Sequence, residues 1–194
     1  MAVWAVWGLL NKMQKSQMTS KVLEAIDNDA LVVLEKYLQE GYDLSLPVVL
    51  GQEYELDEPD ETPILFYAIR RYASVELIEL LMRYGVDIHG LNEDGLSALD
   101  VAIKFKRNDV VDFVIKEGIS VNETQRRSGI NPLMLACCFS DLAIIETLLN
   151  HGADINKVDK SGMSAKDYAK RLGQKKVVEF LSQKGGRHNL YSEE

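Results

Sequence analysis

The side chains that could do covalent or metal chemistry are few and scattered. The 194 residues include two cysteines, Cys137 and Cys138, and three histidines, His89, His151 and His188. A cysteine nucleophile needs a neighbouring base or a lowered pKa, and no partner for either thiol is visible in the sequence. Adjacent cysteines cannot build a disulfide framework, so a reducing compartment, the cytoplasm, is expected. One of the two is expected to pack and the other to face a turn. The histidines lie far apart and show no metal-ligand spacing. His151 falls at the end of a helix, where a cation suits the helix dipole, and reads as structural. There is no glycine-rich phosphate loop, no Cys-x-x-Cys and no Gly-x-Ser-x-Gly elbow. Asp100 and Asp167 each follow a serine by three residues, Ser97 and Ser164, which is the spacing of a capping box. They read as helix caps rather than as acids or bases. No catalytic residue, metal ligand or cofactor is assigned, and the chain is expected not to be an enzyme.

The elements that carry these residues repeat. Ser97-Ala98-Leu99-Asp100-Val101-Ala102, Asn131-Pro132-Leu133-Met134-Leu135-Ala136 and Ser164-Ala165-Lys166-Asp167-Tyr168-Ala169 begin 34 and then 33 residues apart. Each block runs through an apolar helix to a glycine 21 residues after its start, Gly118, Gly152 and Gly185. A fixed period of this length means stacked units.

Bulk composition narrows the function classes. The net charge is −8, with 18 acids and 7 bases in residues 1–100 and 12 acids and 15 bases in residues 101–194. An acidic total argues against general nucleic-acid binding, which needs a basic footprint. The basic second half leaves room there for an acidic partner. No apolar run approaches the ~20 residues that cross a bilayer. The apolar start, residues 1–18 with Trp4 and Trp7, lacks the charged region and cleavage site of a signal peptide. It is expected to be a short helix over the first repeat, or an extension upstream of a true start at Met13 or Met18. The alternative is a membrane-surface or partner-docking helix.

Taken in order, residues 19–43 form a first, capping repeat. Its first helix spans 19–29, with Thr19 or Ser20 as N-cap and a break at Asn28 and Asp29. Its second runs Leu31 to Leu38, with Val33, Leu34, Tyr37 and Leu38 facing inward and Gly41 at the end. Residues 44–61 do not repeat. Leu46 to Gly51 could be a strand or a buried loop. Glu53, Glu55, Asp57, Glu58, Asp60 and Glu61 are an acidic run, read either as solvated loop or as a charged finger for a basic partner. The second repeat covers 62–91, with Pro63 in the first helical turn. Gly85 lies 23 residues after Thr62, two more than in later blocks, and the extra residues are placed around Arg70-Arg71-Tyr72. The third repeat covers 92–123, the fourth 124–157 and the fifth, capping one 158–186. Their second helices carry Val110, Val111, Val114 and Ile115, then Ile144, Ile145, Leu148 and Leu149, then Val177, Val178, Phe180 and Leu181. Residues 187–194 read as a frayed polar tail.

The sequence resembles the ankyrin repeat family. The resemblance rests on Thr62-Pro63-Ile64-Leu65, Asn131-Pro132-Leu133-Met134 and above all Leu148-Leu149-Asn150-His151-Gly152-Ala153-Asp154-Ile155-Asn156. It covers about residues 20–186. It implies an all-α repeat solenoid of about five stacked helix-turn-helix repeats with projecting β-hairpin-like loops. Ala25, Ala68, Ala102, Ala136 and Ala169 recur at one place in the first helix, where a small side chain lets neighbouring helices approach. The family's usual histidine in the opening turn is replaced by Leu65, Asp100, Met134 and Asp167. The loop-to-loop bonds it supports are therefore not implied here, and the capping boxes are a local substitute in two repeats.

The resemblance implies an inner, concave face built from loop tips and first-helix ends. Those ends are Lys104-Phe105, Cys138-Phe139 and Arg171-Leu172. Phe105, Phe139 and Leu172 should line up across the stack, with Tyr72 extending the line if the extra residues of the second repeat sit where placed. Lys104, Lys106, Arg107, Arg127, Lys160 and Arg171 flank it. The apolar groups either tuck against the next loop as core or form an exposed stripe with a basic rim, the composition of a protein-binding patch. The expected function is a soluble, monomeric protein-binding module that recognises another protein through a rigid concave face, as an inhibitor, immunity-like antidote or scaffold. The alternative is an accessory factor for maturation or cofactor loading of a partner enzyme. No nucleic acid or membrane span is expected.

Overall fold

The computed structural model describes residues 16–50 and 60–191. The expectations for Trp4, Trp7 and the chain start, and for Glu53, Glu55, Asp57 and Glu58, lie outside the described residues. The chain divides into two compact units, residues 1–87 and 88–194.

Among the described residues the first unit holds two helix pairs and one strand pair. Helix α1 runs over 16–27 and α2 over Leu31–Gln39. Because α1 is already helical at residue 16, neither Thr19 nor Ser20 is its N-cap; the Ser20 hydroxyl donates back to the Ser16 carbonyl at 3.2 Å. Strands β1 (Val48–Leu50) and β2 (Asp60–Thr62) pair antiparallel, with Val48 opposite Thr62. Helices α3 (Ile64–Arg70) and α4 (Val75–Arg83) complete the unit. Its core joins Val22, Ala25 and Ile26 of α1, Leu34 and Leu38 of α2, Val48 of β1, and Ala68, Leu77, Leu80 and Leu81 of the second pair. Val33 is not part of it. That side chain is 47% exposed, because the buried stripe of α2 is the i, i+4 pair Leu34 and Leu38.

Polar bonds tie the two pairs of this unit. Asp27 accepts from the Tyr67 hydroxyl at 2.7 Å and from the Arg71 guanidinium at 2.7 and 3.1 Å. Asp29, at φ 50° after the end of α1, accepts from the backbone and hydroxyl of Ser74 at 2.8 and 2.9 Å. The hydrogen bond and charge of Asp27 raise the Arg71 pKa further, so this cation is fixed.

The second unit holds three helix pairs: α5 (Ala98–Lys104) with α6 (Asn108–Lys116), α7 (Pro132–Cys138) with α8 (Leu142–Asn150), and α9 (Ala165–Arg171) with α10 (Lys175–Gln183). Helix α7 packs between α5 and α9, and α8 packs on α6. Each first helix has seven residues, and its fifth is a fully buried alanine, Ala102, Ala136 or Ala169. A side chain of one carbon there allows the close helix approach that seven-residue helices need, since each alone buries too little to persist. Val110, Val111, Val114, Ile144, Ile145, Leu148, Val177 and Leu181 are buried as expected, whereas Ile115, Leu149, Val178 and Phe180 are half-buried.

Loops between the pairs turn tightly. Gly95, at φ 74°, is required twice over: the conformation is left-handed, and a Cβ would lie 2.8 Å from the Gln125 carbonyl oxygen of the next loop. Adjacent loop tips also bond directly, Lys160 N–H to the Ser128 carbonyl at 3.1 Å. An asparagine ladder runs below them. Asn122 donates to the Gly152 carbonyl at 2.9 Å and accepts from Asp154 N–H at 2.7 Å. Asn156 likewise accepts from Arg187 N–H at 2.9 Å.

That last bond corrects the expectation of a frayed tail. Residues 187–191 are docked, because Arg187-His188-Asn189 fall 33 positions after Asp154-Ile155-Asn156 and enter the next hairpin in register. The Ser164 hydroxyl, whose one proton is shared between Asp167 and the Arg187 carbonyl, lies 2.9 Å from that carbonyl, and Asn189 donates to the Gly162 carbonyl at 2.7 Å.

Candidate protein-binding surface

Two capping boxes set the positions of the first helices. In both, the serine hydroxyl accepts from the amide three residues on, and the aspartate accepts from the serine N–H and hydroxyl. They are more than a local substitute for the missing histidine, because each aspartate also reaches the following loop. The Asp100 carboxylate lies 3.1 Å from the Arg126 guanidinium. Asp167, fully buried, takes Asn189 N–H at 2.9 Å, Leu190 N–H at 3.2 Å and His188 Nδ1–H at 2.9 Å. Burial alone would raise its pKa, but the amides of Ser164, Asn189 and Leu190 and the His188 imidazole outweigh it and hold the carboxyl down at about 2. Both aspartates are thus occupied in holding structure.

The other chemistry-bearing side chains are also engaged. Cys137 is fully buried and Cys138 half-buried at the end of α7. Burial pushes both thiols up, the opposite of the shift a nucleophile needs. His151 follows α8 and bonds Asp112 of α6 at 2.9 Å, so it links two repeats. A hollow of about 320 Å³ lies among loops of the third and fourth repeats, lined by Ser97, Asp100, Glu123, Thr124 and His89. Its buried carboxylate, Asp100, is the one already held by Ser97 and Arg126. Among the described residues no group of three or more His, Cys, Asp or Glu is placed to hold a metal ion.

The helix-end residues hold one recurring position in the second unit. Phe105, Phe139 and Leu172 each cap the C-terminus of a first helix, at nearly identical backbone angles. Phe105 and Phe139 are half-buried and Leu172 is 49% exposed. Lys104, Cys138 and Arg171 precede them in the same three positions. The Lys104 amine lies 5.9 Å over the Phe105 ring, and the Arg171 guanidinium 5.0 Å over Tyr168. Gln174 of the fifth repeat donates to the Cys138 carbonyl at 3.2 Å, fixing one helix end against the next. Arg127 and Lys160 are exposed at successive loop tips.

Two expectations about this face need correction. Tyr72 does not hold the capping position of its repeat. It occupies the left-handed residue of the interhelix turn (φ 61°), the place of Lys106 (56°), Ser140 (57°) and Gly173 (70°), and Arg71 holds the capping position. One of the two extra residues is Thr62, which precedes the N-cap Pro63 instead of being it; the other lengthens the turn at Ala73-Ser74. Tyr72 also belongs to the other unit. Arg107 is not part of the rim either. It is 6% exposed and chelates Asp109 at 2.6 and 2.9 Å.

Arg126 is the residue that sequence reasoning missed. Its charge and that of Arg171 both act on the Cys138 sulfur, drawing its pKa down against the larger effect of burial. The signal available was its place at a loop tip beside Arg127, in phase with Asp159 of the next repeat.

Comparison with known proteins agrees with this architecture. A family model described as ankyrin repeats (3 copies) matches residues 24–125 and again 122–192. An ankyrin repeat protein of fowlpox virus is 27% identical over 77% of this chain and 20% of its own length. The mouse B-cell lymphoma 3 protein homolog is 31% identical over 54% of this chain and 23% of its own. The Drosophila melanogaster E3 ubiquitin-protein ligase Ufd4 is 31% identical over 62% of this chain and 4% of its own. The chain spans less than a quarter of each of these relatives.

Proposed function

The chain belongs to the ankyrin repeat family, whose repeats are protein-protein interaction modules, and from that premise we propose that it captures a partner protein on the concave face made by the first-helix ends and loop tips of its third to fifth repeats. The observation that carries this reading is the recurrence of Phe105, Phe139 and Leu172 in one capping position, each left partly open to solvent and bordered by bases. Aromatic anchors with a cationic border are the composition of a contact centre. The face is preorganised by the alanine packing, the capping boxes and the asparagine ladder, so little ordering cost falls on binding. The mode of action is occupation of the partner's surface, as an inhibitor, an immunity-like antidote or a scaffold acts.

The test is affinity capture from a native extract with mass spectrometry, using wild type and the variant Phe105→Ala with Phe139→Ala. At least one protein retained by the wild type should fall tenfold or more with the variant. Because both rings are only half-buried, the double change should leave a cooperative unfolding transition, with a loss of up to about 2 kcal/mol per ring, below the range for a fully buried phenylalanine. An unchanged set of captured proteins overturns the proposal. Collapse of the fold instead shows the pair to be core, and Leu172→Ala then carries the capture test.

A further inference from the structure

Charge along the same face is uneven, and this bears on what sits there. In the second unit four bases hold ion pairs: Arg107 with Asp109, Lys116 with Asp112, Lys184 with Glu146 and Arg126 with Asp100. Of the five bases left in the expected rim, Lys104, Arg127, Lys160, Arg171 and the exposed Lys106, none holds an ion pair among the described residues. Lys104 lies over Phe105, and Arg171 over Tyr168 while donating to Met163 sulfur at 3.3 Å. Their charges are therefore left to whatever covers the face. The loop tips also form a sequence of sign. The third repeat presents Glu93 and Asp94, the fourth Arg127 and the fifth Lys160, all exposed. The fourth and fifth tips are joined by the bond from Lys160 N–H to the Ser128 carbonyl.

Resting on the reading above, we propose that the occupant is an acidic segment of a partner protein, laid across Phe105, Phe139 and Leu172 with its carboxylates against Arg127, Lys160 and Arg171 and an end without carboxylates beside Glu93 and Asp94. The polarity follows from like-charge repulsion at the third tip, which disfavours the reversed orientation. Each exposed pair is individually weak, so the charges choose partner and direction while the stripe holds it. A nucleic acid is the other polyanion the bases could meet. It fits less well, because the chain carries a net charge of −8 and the tip pair Glu93 and Asp94 would repel a phosphate backbone.

Selection from a random-peptide display library on the full chain tests this. Enriched peptides should carry an excess of Asp and Glu over the unselected pool, gathered toward one end. Synthetic copies should bind at least tenfold more weakly to Arg127→Glu with Lys160→Glu and Arg171→Glu, and several-fold more weakly to the corresponding glutamine variant, which keeps the test open if the reversal unfolds. Phe105→Ala with Phe139→Ala should abolish their binding. Enriched peptides that need the two phenylalanines but carry no acidic excess overturn this inference and leave the proposed function standing. Peptides indifferent to the phenylalanines, or no enrichment at all, overturn both. Tighter binding of a labelled oligothymidine than of any enriched peptide overturns the acidic-protein assignment.

Discussion

The two capping boxes share one sequence device, Ser-x-x-Asp, and differ in what the aspartate meets next. Asp100 meets a cation: one oxygen closes the box on Ser97, and the other has no hydrogen bond of good geometry and faces Arg126 at 3.1 Å. Asp167 meets the backbone: beyond its own box it collects two amides and an imidazole from residues 188–190. A carboxylate paired with a flexible side chain keeps part of its attraction if the loop shifts. One that binds consecutive amides is fixed by the chain path itself and fixes that path in return. The same local motif is thus mainly a helix start in the third repeat, and both a helix start and an anchor for the following hairpin in the fifth.

The largest effect expected from this difference is in alanine substitution. Asp167→Ala leaves the amides of Ser164, Asn189 and Leu190 without their acceptor in a buried place and should cost about 3–4 kcal/mol in urea unfolding. Asp100→Ala should cost about 2 kcal/mol, the scale of a cap plus one partly buried ion pair. Amide exchange should separate them further: residues 187–191 lose protection in the first variant and keep it in the second. Equal costs with equal exchange would erase the distinction.

Acid titration gives a somewhat smaller effect of the same origin. The Asp167 carboxyl sits at about 2 against an ordinary value of 3.8. A depressed folded pKa contributes stability that is complete above the unfolded value and disappears as pH falls through the folded one. The contribution is about 2 kcal/mol and should vanish between about pH 4 and pH 2. Asp167→Asn should be less stable at pH 6 and should show a correspondingly shallower fall over that window. A parallel fall in both proteins would place the acid sensitivity elsewhere.

How much of this was readable from residues alone depended on side-chain type. Phase was legible from the third repeat to the fifth, since Ala102, Ala136 and Ala169 occupy equivalent buried places, but not in the second, where the extra residues fall at Thr62 and at Ala73-Ser74. Helix starts with a capping box, Ser97 and Ser164, were legible too. Where type and phase disagreed, type misled. Arg187-His188-Asn189 are in register with Asp154-Ile155-Asn156, yet a histidine in the place of Ile155 looks like tail, and only its bond to Asp167 shows why it can be buried. Tyr72 looked like a continuation of the aromatic line because its ring resembles Phe105; the backbone angle that moves it one step along the turn has no signature in the side chain. Arg107 looked like rim because it is basic, and its burial depends on Asp109 two residues away. Whether Phe105 and Phe139 are core or surface was left open by composition, and geometry places them halfway.

The smallest expected effect isolates the cation that distinguishes the third-repeat box. Arg126→Met keeps most of the apolar stem, which packs at 18% side-chain exposure, and removes the charge facing Asp100. The carboxylate oxygen then has no partner in a nearly buried site, a loss of about 1 kcal/mol. Asp100→Asn alone should cost a similar amount, because the amide still accepts from Ser97 but no longer attracts the guanidinium. Combined, the two changes should cost less than their sum, since each removes the same attraction; a coupling of about 1 kcal/mol is expected from a double-mutant cycle. Additive costs would mean that Arg126 stabilises its loop independently of Asp100. The third-repeat box would then act on its own helix alone, and the contrast with Asp167 would be wider than the distances imply.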